Sequence, residues 1–430
     1  MRSLFVIVAF ASLSLLTISS TSAQNWDRFR GPNGTGFSDA TTVPIRWTEK
    51  NYNWKVELPG LGHSSPCVWG NKVFVLSADP DTATRYMLCY NTEDGKELWK
   101  KEYKSEVHHL HTRSSFASSS PAADADHVYI GWSTPRETSF KAFKHDGTEA
   151  WSLNLGRWQS QHGFGASPVL YEDMVILHNS QQANQLKEGE KAGDSFMMAF
   201  DRKTGKERWR TPLVSTNVCY SVPFIYTNDE GKDELVCIST GNGVFSLDPS
   251  TGEKNWAVEG VFSMRTVGSP ITAGGLIFGG TGSGRFSGNY IAAVKPGKKP
   301  ELVYEIKNSG GFKAPYVPSL LAKGDNVFCL YDRGFAACVD APSGKVLWST
   351  RTGAAFSGSP IRVRDRIYCV DEEGVVWVIA ADEKEYRLLA KNPLGEASRS
   401  TPAVSGGKLF LRTSSHLICI GGKETVALAQ

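Results

Sequence analysis

The 430-residue chain lacks an excess of charge of either sign. It carries 47 Lys and Arg against 44 Asp and Glu, a formal net charge of +3. Arg2 is the only charged residue among the first 23, so removing that segment takes +3 to +2. Such a balance gives no general attraction to nucleic acid or to an anionic membrane surface. After residue 23 there is no uninterrupted apolar run of the length that spans a bilayer, which excludes a transmembrane helix from the mature chain. The eight cysteines contain no Cys-x-x-Cys pair and no clustered Cys/His spacing, which argues against structural zinc. Most of them sit within apolar runs such as Leu235-Val-Cys-Ile238 and Val327-Phe-Cys-Leu330. There a thiol acts as a small buried hydrophobe, so free thiols are expected in place of a disulfide framework. If Arg333-Gly334 were a two-residue turn, Cys329 and Cys338 would face each other as the one exception.

What is present begins with an export signal. Arg2 precedes an almost wholly apolar or small stretch, Leu4 to Ile18, and Thr21-Ser22-Ala23 supplies small residues before a cut at Gln24. The expected organisation is a signal peptide over 1–23, an N-terminal extension over 24–44, a repeat domain over 45–423 and a tail over 424–430. The expected location is exported, in a bacterial periplasm or outside the cell.

The repeat is marked by proline. Ser65-Pro66, Ser120-Pro121, Ser167-Pro168, Val222-Pro223, Ser269-Pro270, Val317-Pro318, Ser359-Pro360 and Thr401-Pro402 recur about 42–55 residues apart. Each proline opens a short apolar strand, where the first residue can spare its N–H. A turn and a second apolar strand follow, then a third strand that ends in a polar turn. Gly stands four residues before Trp five times, at Gly95/Trp99, Gly147/Trp151, Gly205/Trp209, Gly252/Trp256 and Gly344/Trp348. Four short strands per unit describe a propeller blade, with the Trp filling the outer wedge between blades. The last unit holds three strands, and Trp54-Lys-Val-Glu-Leu58 is an orphan in the style of a fourth. The fold class is therefore all-β, an eight-bladed propeller of four-stranded antiparallel blades, closed by an N-terminal strand that completes the last blade. Two stretches stand outside this pattern. Gln182 to Ser195 reads as a flexible surface loop, and Arg28 to Pro32 matches no part of the repeat.

The Asp201-Arg-Lys-Thr-Gly-Lys-x-x-Trp209 pattern, repeated loosely in other units, resembles the pyrroloquinoline-quinone-like propeller repeat over roughly residues 45 to 423. That family includes quinone-dependent alcohol dehydrogenases, a propeller of outer-membrane assembly, and exported bacterial propellers. The segments Asn25 to Gly34 and Pro59 to Pro66 are most similar to the last group. The dehydrogenase branch implies a disulfide between adjacent cysteines, which this chain cannot make, and a calcium site rich in carboxylates beside the quinone. Asp332 and Asp371 are the candidate carboxylates, and both read as hairpin-turn residues. The motifs thus give no support for pyrroloquinoline quinone with calcium, and no cofactor and no metal are expected.

In this strand order the segments before each proline share one face of the ring. They present His63, His111 with Arg113, His162, Tyr220, Arg265, Lys313, Phe356 and Arg399. Six of these eight segments offer a cation or an imidazole, with no Asp or Glu within the four residues before the proline. Such a mouth would favour an anion, whether a small molecule, an acidic glycan or a protein partner. His108-His-Leu-His111 could hold a metal on one strand face, but three such residues without a carboxylate read as a polar loop. The expected function is an exported binding or scaffold module. The alternatives are a quinone-dependent oxidoreductase with an unusual site and a purely structural role in the envelope.

Overall fold

The computed structural model describes residues 25–284 and 288–422. The expected export segment and the tail lie outside the described residues. Eight sheets, each with four antiparallel strands and one with a fifth short strand added in parallel, are arranged as the blades of a propeller. In the first blade the strands are Cys67–Trp69, Lys72–Ala78, Arg85–Asn91 and Glu97–Tyr103. Blades are numbered from this one. Among the described residues no helix is long and apolar enough to cross a membrane.

The burial pattern explains the strand sequences. The second strand of blade 3, Met174–Asn179, is buried on both faces, because each sheet packs between two neighbours. Val175, Ile176 and Leu177 are all fully buried, and each contributes about 1.5–3 kcal/mol relative to exposure. The outermost strand of the same blade, Glu207–Leu213, faces solvent along one side and alternates accordingly.

Closure is as the orphan strand implied. Tyr52–Glu57 pairs antiparallel with His416–Gly421, with Trp54 opposite Cys419 and Glu57 opposite His416. The ring thus has no open blade.

The glycine–tryptophan spacing serves a contact between blades. Trp54, Trp99, Trp151 and Trp209 each donate their indole N–H to a backbone carbonyl in the third-to-fourth-strand turn of the next blade, at 2.9–3.1 Å. The glycine of that turn lies flat on the preceding ring. At Gly205 (φ +71°) a Cβ would stand 2.8 Å from the Trp151 ring, so both the backbone angle and the close approach require glycine. In blade 5 Tyr304 takes the Trp position, lying against Gly344 and donating to the Ala341 carbonyl. In blade 7 Ala390 falls at the Trp position, and Trp47 from the N-terminal segment belongs to the same packed cluster. The fourth strand there is Leu388–Pro393.

A second inter-blade link lies near the axis. The backbone N–H of each residue preceding the proline position donates to the side-chain hydroxyl at the same position of the next blade. The bonds run Ser65 to Ser120 to Ser167, and Val222 to Ser269 to Ser319 to Ser359 to Thr401 to Ser65, at 2.9–3.1 Å. Only the step from Ser167 to Val222 lacks a hydroxyl to receive it. This belt corrects the reading of blade 6. Its innermost strand is Leu321–Lys323, so Ser319-Leu320 occupies the Ser-Pro position and Val317-Pro318 precedes it.

The Arg28–Pro32 stretch is part of a strap that crosses the far end of the channel. Trp26 exchanges two backbone bonds with Val68 of blade 1, and the Asp27 carbonyl accepts from Ala123 of blade 2. Arg28 Nη2 donates to the Pro223 carbonyl of blade 4 at 2.8 Å. Arg30 Nη2 donates to the Leu320 carbonyl of blade 6 at 2.7 Å. Phe37–Ser38 then pairs parallel with Ile361–Val363 of blade 7. Both guanidinium groups are buried, and desolvation lowers their pKa to about 10 and about 9.

All eight cysteines are free and buried. The hairpin of blade 6 pairs Tyr331 with Phe335, so its loop has three residues. Cys329 therefore lies opposite Ala337 and Cys338 opposite Phe328. The two thiols fall on opposite faces of the sheet, in different clusters, and cannot bridge.

Candidate functional site: the channel mouth

The pre-proline segments leave the innermost strands at one end of the ring and enclose a cavity of about 520 Å³. Its size lies within the range usual for small-molecule sites. Phe29 of the strap lines it, so the strap forms its floor. Above the floor come the belt hydroxyls, and above these the longer side chains of the mouth.

Seven of the nine residues presented by these segments line this cavity: His63, His111, Arg113, His162, Tyr220, Arg265 and Arg399. Lys313 is not among its lining residues, which corrects its place in the expected ring. Phe356 also lies elsewhere, fully buried against Trp377 within the blade 7 core. Arg333 lines the cavity and was missed. It sits in the Asp-Arg-Gly hairpin of blade 6, a loop read only for its turn residues. The lining therefore holds four arginines and three histidines, with no Asp or Glu among the described residues.

Arg265 is held by several acceptors. Its Nε donates to the Val218 carbonyl at 2.7 Å, and Nη1 lies 2.7 Å from His162 Nε2. Nη2 reaches Gln161 at 3.3 Å and Gln182 at 3.4 Å. Gln182 is fully buried, so the stretch read as a flexible surface loop begins as a structural part of the mouth. The remainder of that stretch is tied by Arg157, which donates to the carbonyls of Lys191 and Ala192. Arg399 donates to the Thr112 carbonyl at 3.2 Å and pairs with Glu372 at 3.4 Å. It thereby bridges blades 8, 2 and 7.

The imidazoles are neutral near pH 7. Burial, then Arg412 and Arg399, push His63 down to about 4. Burial, then Arg265 and His111, do the same to His162. His111 is also lowered, by burial and Arg113, and its ring meets His162 edge-on at 4.8 Å. The fixed positive charge of the mouth thus comes from arginine. His108 packs on Phe116, and among the described residues the His108–His111 stretch forms no group of three metal-ligating side chains.

The two candidate carboxylates are committed elsewhere. Asp371 accepts from Glu373 N, Val375 N and the Trp377 indole, which is the turn role expected of it. Asp332 is fully buried and accepts from Tyr316 N at 2.7 Å and Val317 N at 3.0 Å. It braces the blade 6 pre-proline segment, and burial raises its pKa to about 6. Calcium takes six to eight oxygen ligands, with carboxylates prominent. A lining of arginine, imidazole and hydroxyl does not offer that donor set, so a quinone held with calcium does not fit this cavity.

A family model described as outer membrane protein assembly factor BamB matches residues 46–296 and 309–428. The chain belongs to that family. It is the pyrroloquinoline-quinone-like propeller family that the repeat motifs indicated. No curated protein matches the chain in sequence. Among solved structures, BamB from Moraxella catarrhalis is similar at 13% identity and a TM-score of 0.58, covering 91% of this chain and 100% of that one. A quinohaemoprotein alcohol dehydrogenase from Pseudomonas putida HK5 is similar at 12% identity and a TM-score of 0.63, covering 95% and 81%. Another, from Comamonas testosteroni, is similar at 11% identity and 0.62, covering 95% and 82%. At these identities the likeness is one of fold.

Proposed function

We propose that this chain is an exported binding propeller whose channel mouth receives an anionic group of a protein partner or a small ligand. One observation carries the reading: four arginines and three histidines line the cavity, with no carboxylate among its described residues. A concave, partly desolvated site of one sign focuses its field on an incoming counter-charge. Arginine adds directional, charge-assisted hydrogen bonds to carboxylate or phosphate. A propeller of the BamB family acting on a protein partner accords with the same mouth.

The test is a titration of the mature chain with hexaglutamate, an oligogalacturonate and small organic acids at low and high salt. Binding should weaken with salt without vanishing, since a cavity is screened less than an open surface. The Arg265→Ala/Arg399→Ala double variant should lose well over tenfold in affinity, at about 1.5–3 kcal/mol per charged contact. Absence of binding to every anion, or equal affinity in the double variant, would overturn the reading.

A further inference from the structure

The belt of hydroxyls has unspent hydrogen-bonding capacity. Each hydroxyl oxygen accepts the N–H of the preceding blade, which fixes the oxygen and uses a lone pair. Ser359 passes its own proton to Ser319 at 3.2 Å. For Ser65, Ser120, Ser167, Ser319 and Thr401, no acceptor for the O–H is found among the described residues. All five line the cavity, and all are more than nine-tenths buried. Buried donors held rigid and left unmatched are costly unless a ligand or water completes them.

The belt is also asymmetric. From blade 6 through blade 8 to blade 3 the lining offers hydroxyls. Over blades 4 and 5 it offers Val222 and Val267, with Tyr220 above, and Tyr316 and Val317 continue this side into blade 6. One arc therefore gives protons and the opposite arc gives apolar surface. Arg399 and His63, in blades 8 and 1, stand over the middle of the hydroxyl arc.

We propose that this belt seats the carboxylate of a small amphipathic organic acid, with its apolar body against the valine–tyrosine arc. The inference rests on the anion-binding reading above and specifies the ligand class. A carboxylate has only acceptors to offer, which matches an arc of committed oxygens and free protons. A neutral amide presents donors on one side and loses that match. A bare inorganic anion leaves the apolar arc uncovered. The floor formed by Phe29 and the cavity volume of about 520 Å³ limit the ligand to a compact molecule.

Calorimetric titration of the mature chain with 2-naphthoate, 2-naphthamide, sulfate and hexaglutamate tests this. Binding of 2-naphthoate is expected, with the amide and sulfate each at least tenfold weaker. Ser120→Ala and Thr401→Val should each weaken 2-naphthoate at least fivefold. Ser269→Ala removes the same kind of inter-blade bond outside the lining, and should lower the melting temperature similarly while leaving affinity unchanged. Where the belt variants fail to fold, the acid-to-amide contrast on the parent protein decides. Equal binding of acid and amide overturns the proposal, as does a loss in Ser269→Ala equal to that in Ser120→Ala. Hexaglutamate binding without 2-naphthoate binding overturns the belt inference and leaves the basic mouth standing. No binding of any anion removes both.

Discussion

Arg265 Nη1 lies 2.7 Å from His162 Nε2. A guanidinium can only donate, so Nε2 accepts and the ring proton resides on Nδ1. Protonating this imidazole would place two donors face to face within a mouth already rich in arginine. The same logic applies to His63 beneath Arg399 and Arg412, and both imidazoles are held near 4 in the fold. An unfolded histidine titrates near 6.5, so between about 6.5 and 4 the unfolded chain binds more protons than the folded one. The stabilisation is fully present above pH 6.5 and is lost as pH falls through about 4. His63→Gln and His162→Gln together should shrink the fall in melting temperature across that window. An identical fall in parent and variant would contradict the assignment. For an anion that keeps its charge, such as sulfate, affinity should rise as pH approaches about 4, because each imidazole that gains a proton there adds positive charge beside the bound group.

Ring closure makes a separate prediction. The pairing of Tyr52–Glu57 with His416–Gly421 gives blade 8 its outer strand, and Trp54 docks on blade 1 through the Thr92 carbonyl. Deleting residues 25–58 should expose the edge of His416–Gly421 and yield an aggregating, low-melting protein. A deletion variant that remains monomeric and melts with the parent would show that the strand is dispensable.

The thiols can be counted chemically. Eight free, buried cysteines should all be alkylated after denaturation without reductant, and none rapidly in the native state. Mass spectrometry showing any disulfide in the pure protein would overturn this. Burial raises the pKa of most of these thiols, Cys89 and Cys237 to about 12, which further slows native labelling.

The blade pattern was legible because every blade solves the same problem of covering two faces and turning tightly, and so repeats its solution in sequence. The glycine–tryptophan pair was visible as a spacing within one unit, yet the contact it encodes joins neighbouring units. Spacing alone cannot say which Trp meets which Gly. The Ser-Pro mark failed only at blade 6, where Leu320 stands in for proline and a nearby Val317-Pro318 drew the register two residues early. In the mouth, seven residues were found by their shared place before an innermost strand. Lys313 shares that place by count only, because the register of blade 6 is shifted. Arg333 comes from a hairpin between the second and third strands, which no periodic rule directs toward the axis. The strap was opaque because its partners, Val68, Ala123, Pro223 and Leu320, lie on four different blades. Nothing local to Arg28 or Arg30 signals them.

The strap itself makes the last prediction. Gly31 follows Arg30 at φ +67°, in the left-handed region, and a Cβ there would stand 2.6 Å from the Trp26 ring. Gly31→Ala therefore carries two costs, a backbone conformation worth about 1 kcal/mol and a clash that must move a fully buried indole. Trp26 anchors the strap to Val68, and the turn Arg28–Gly31, closed by Gly31 N–H donating to the Arg28 carbonyl at 2.8 Å, holds the backbone from which Arg28 and Arg30 reach the Pro223 and Leu320 carbonyls. Disturbing it should release both arginines together. Gly31→Ala should lower the melting temperature, and should also increase hydrogen exchange at the backbone amides of Val68 and Ala123, which the strap protects. Arg30→Ala should lose the Leu320 bond, a charged hydrogen bond of about 1.5–3 kcal/mol, but leave protection at Val68 intact. If Gly31→Ala melts with the parent and leaves exchange unchanged, the strap is not held by this turn. If Arg30→Ala raises the melting temperature, the cost of burying an arginine without an acid outweighs its hydrogen bond, and the residue is kept for what it does beneath the cavity floor.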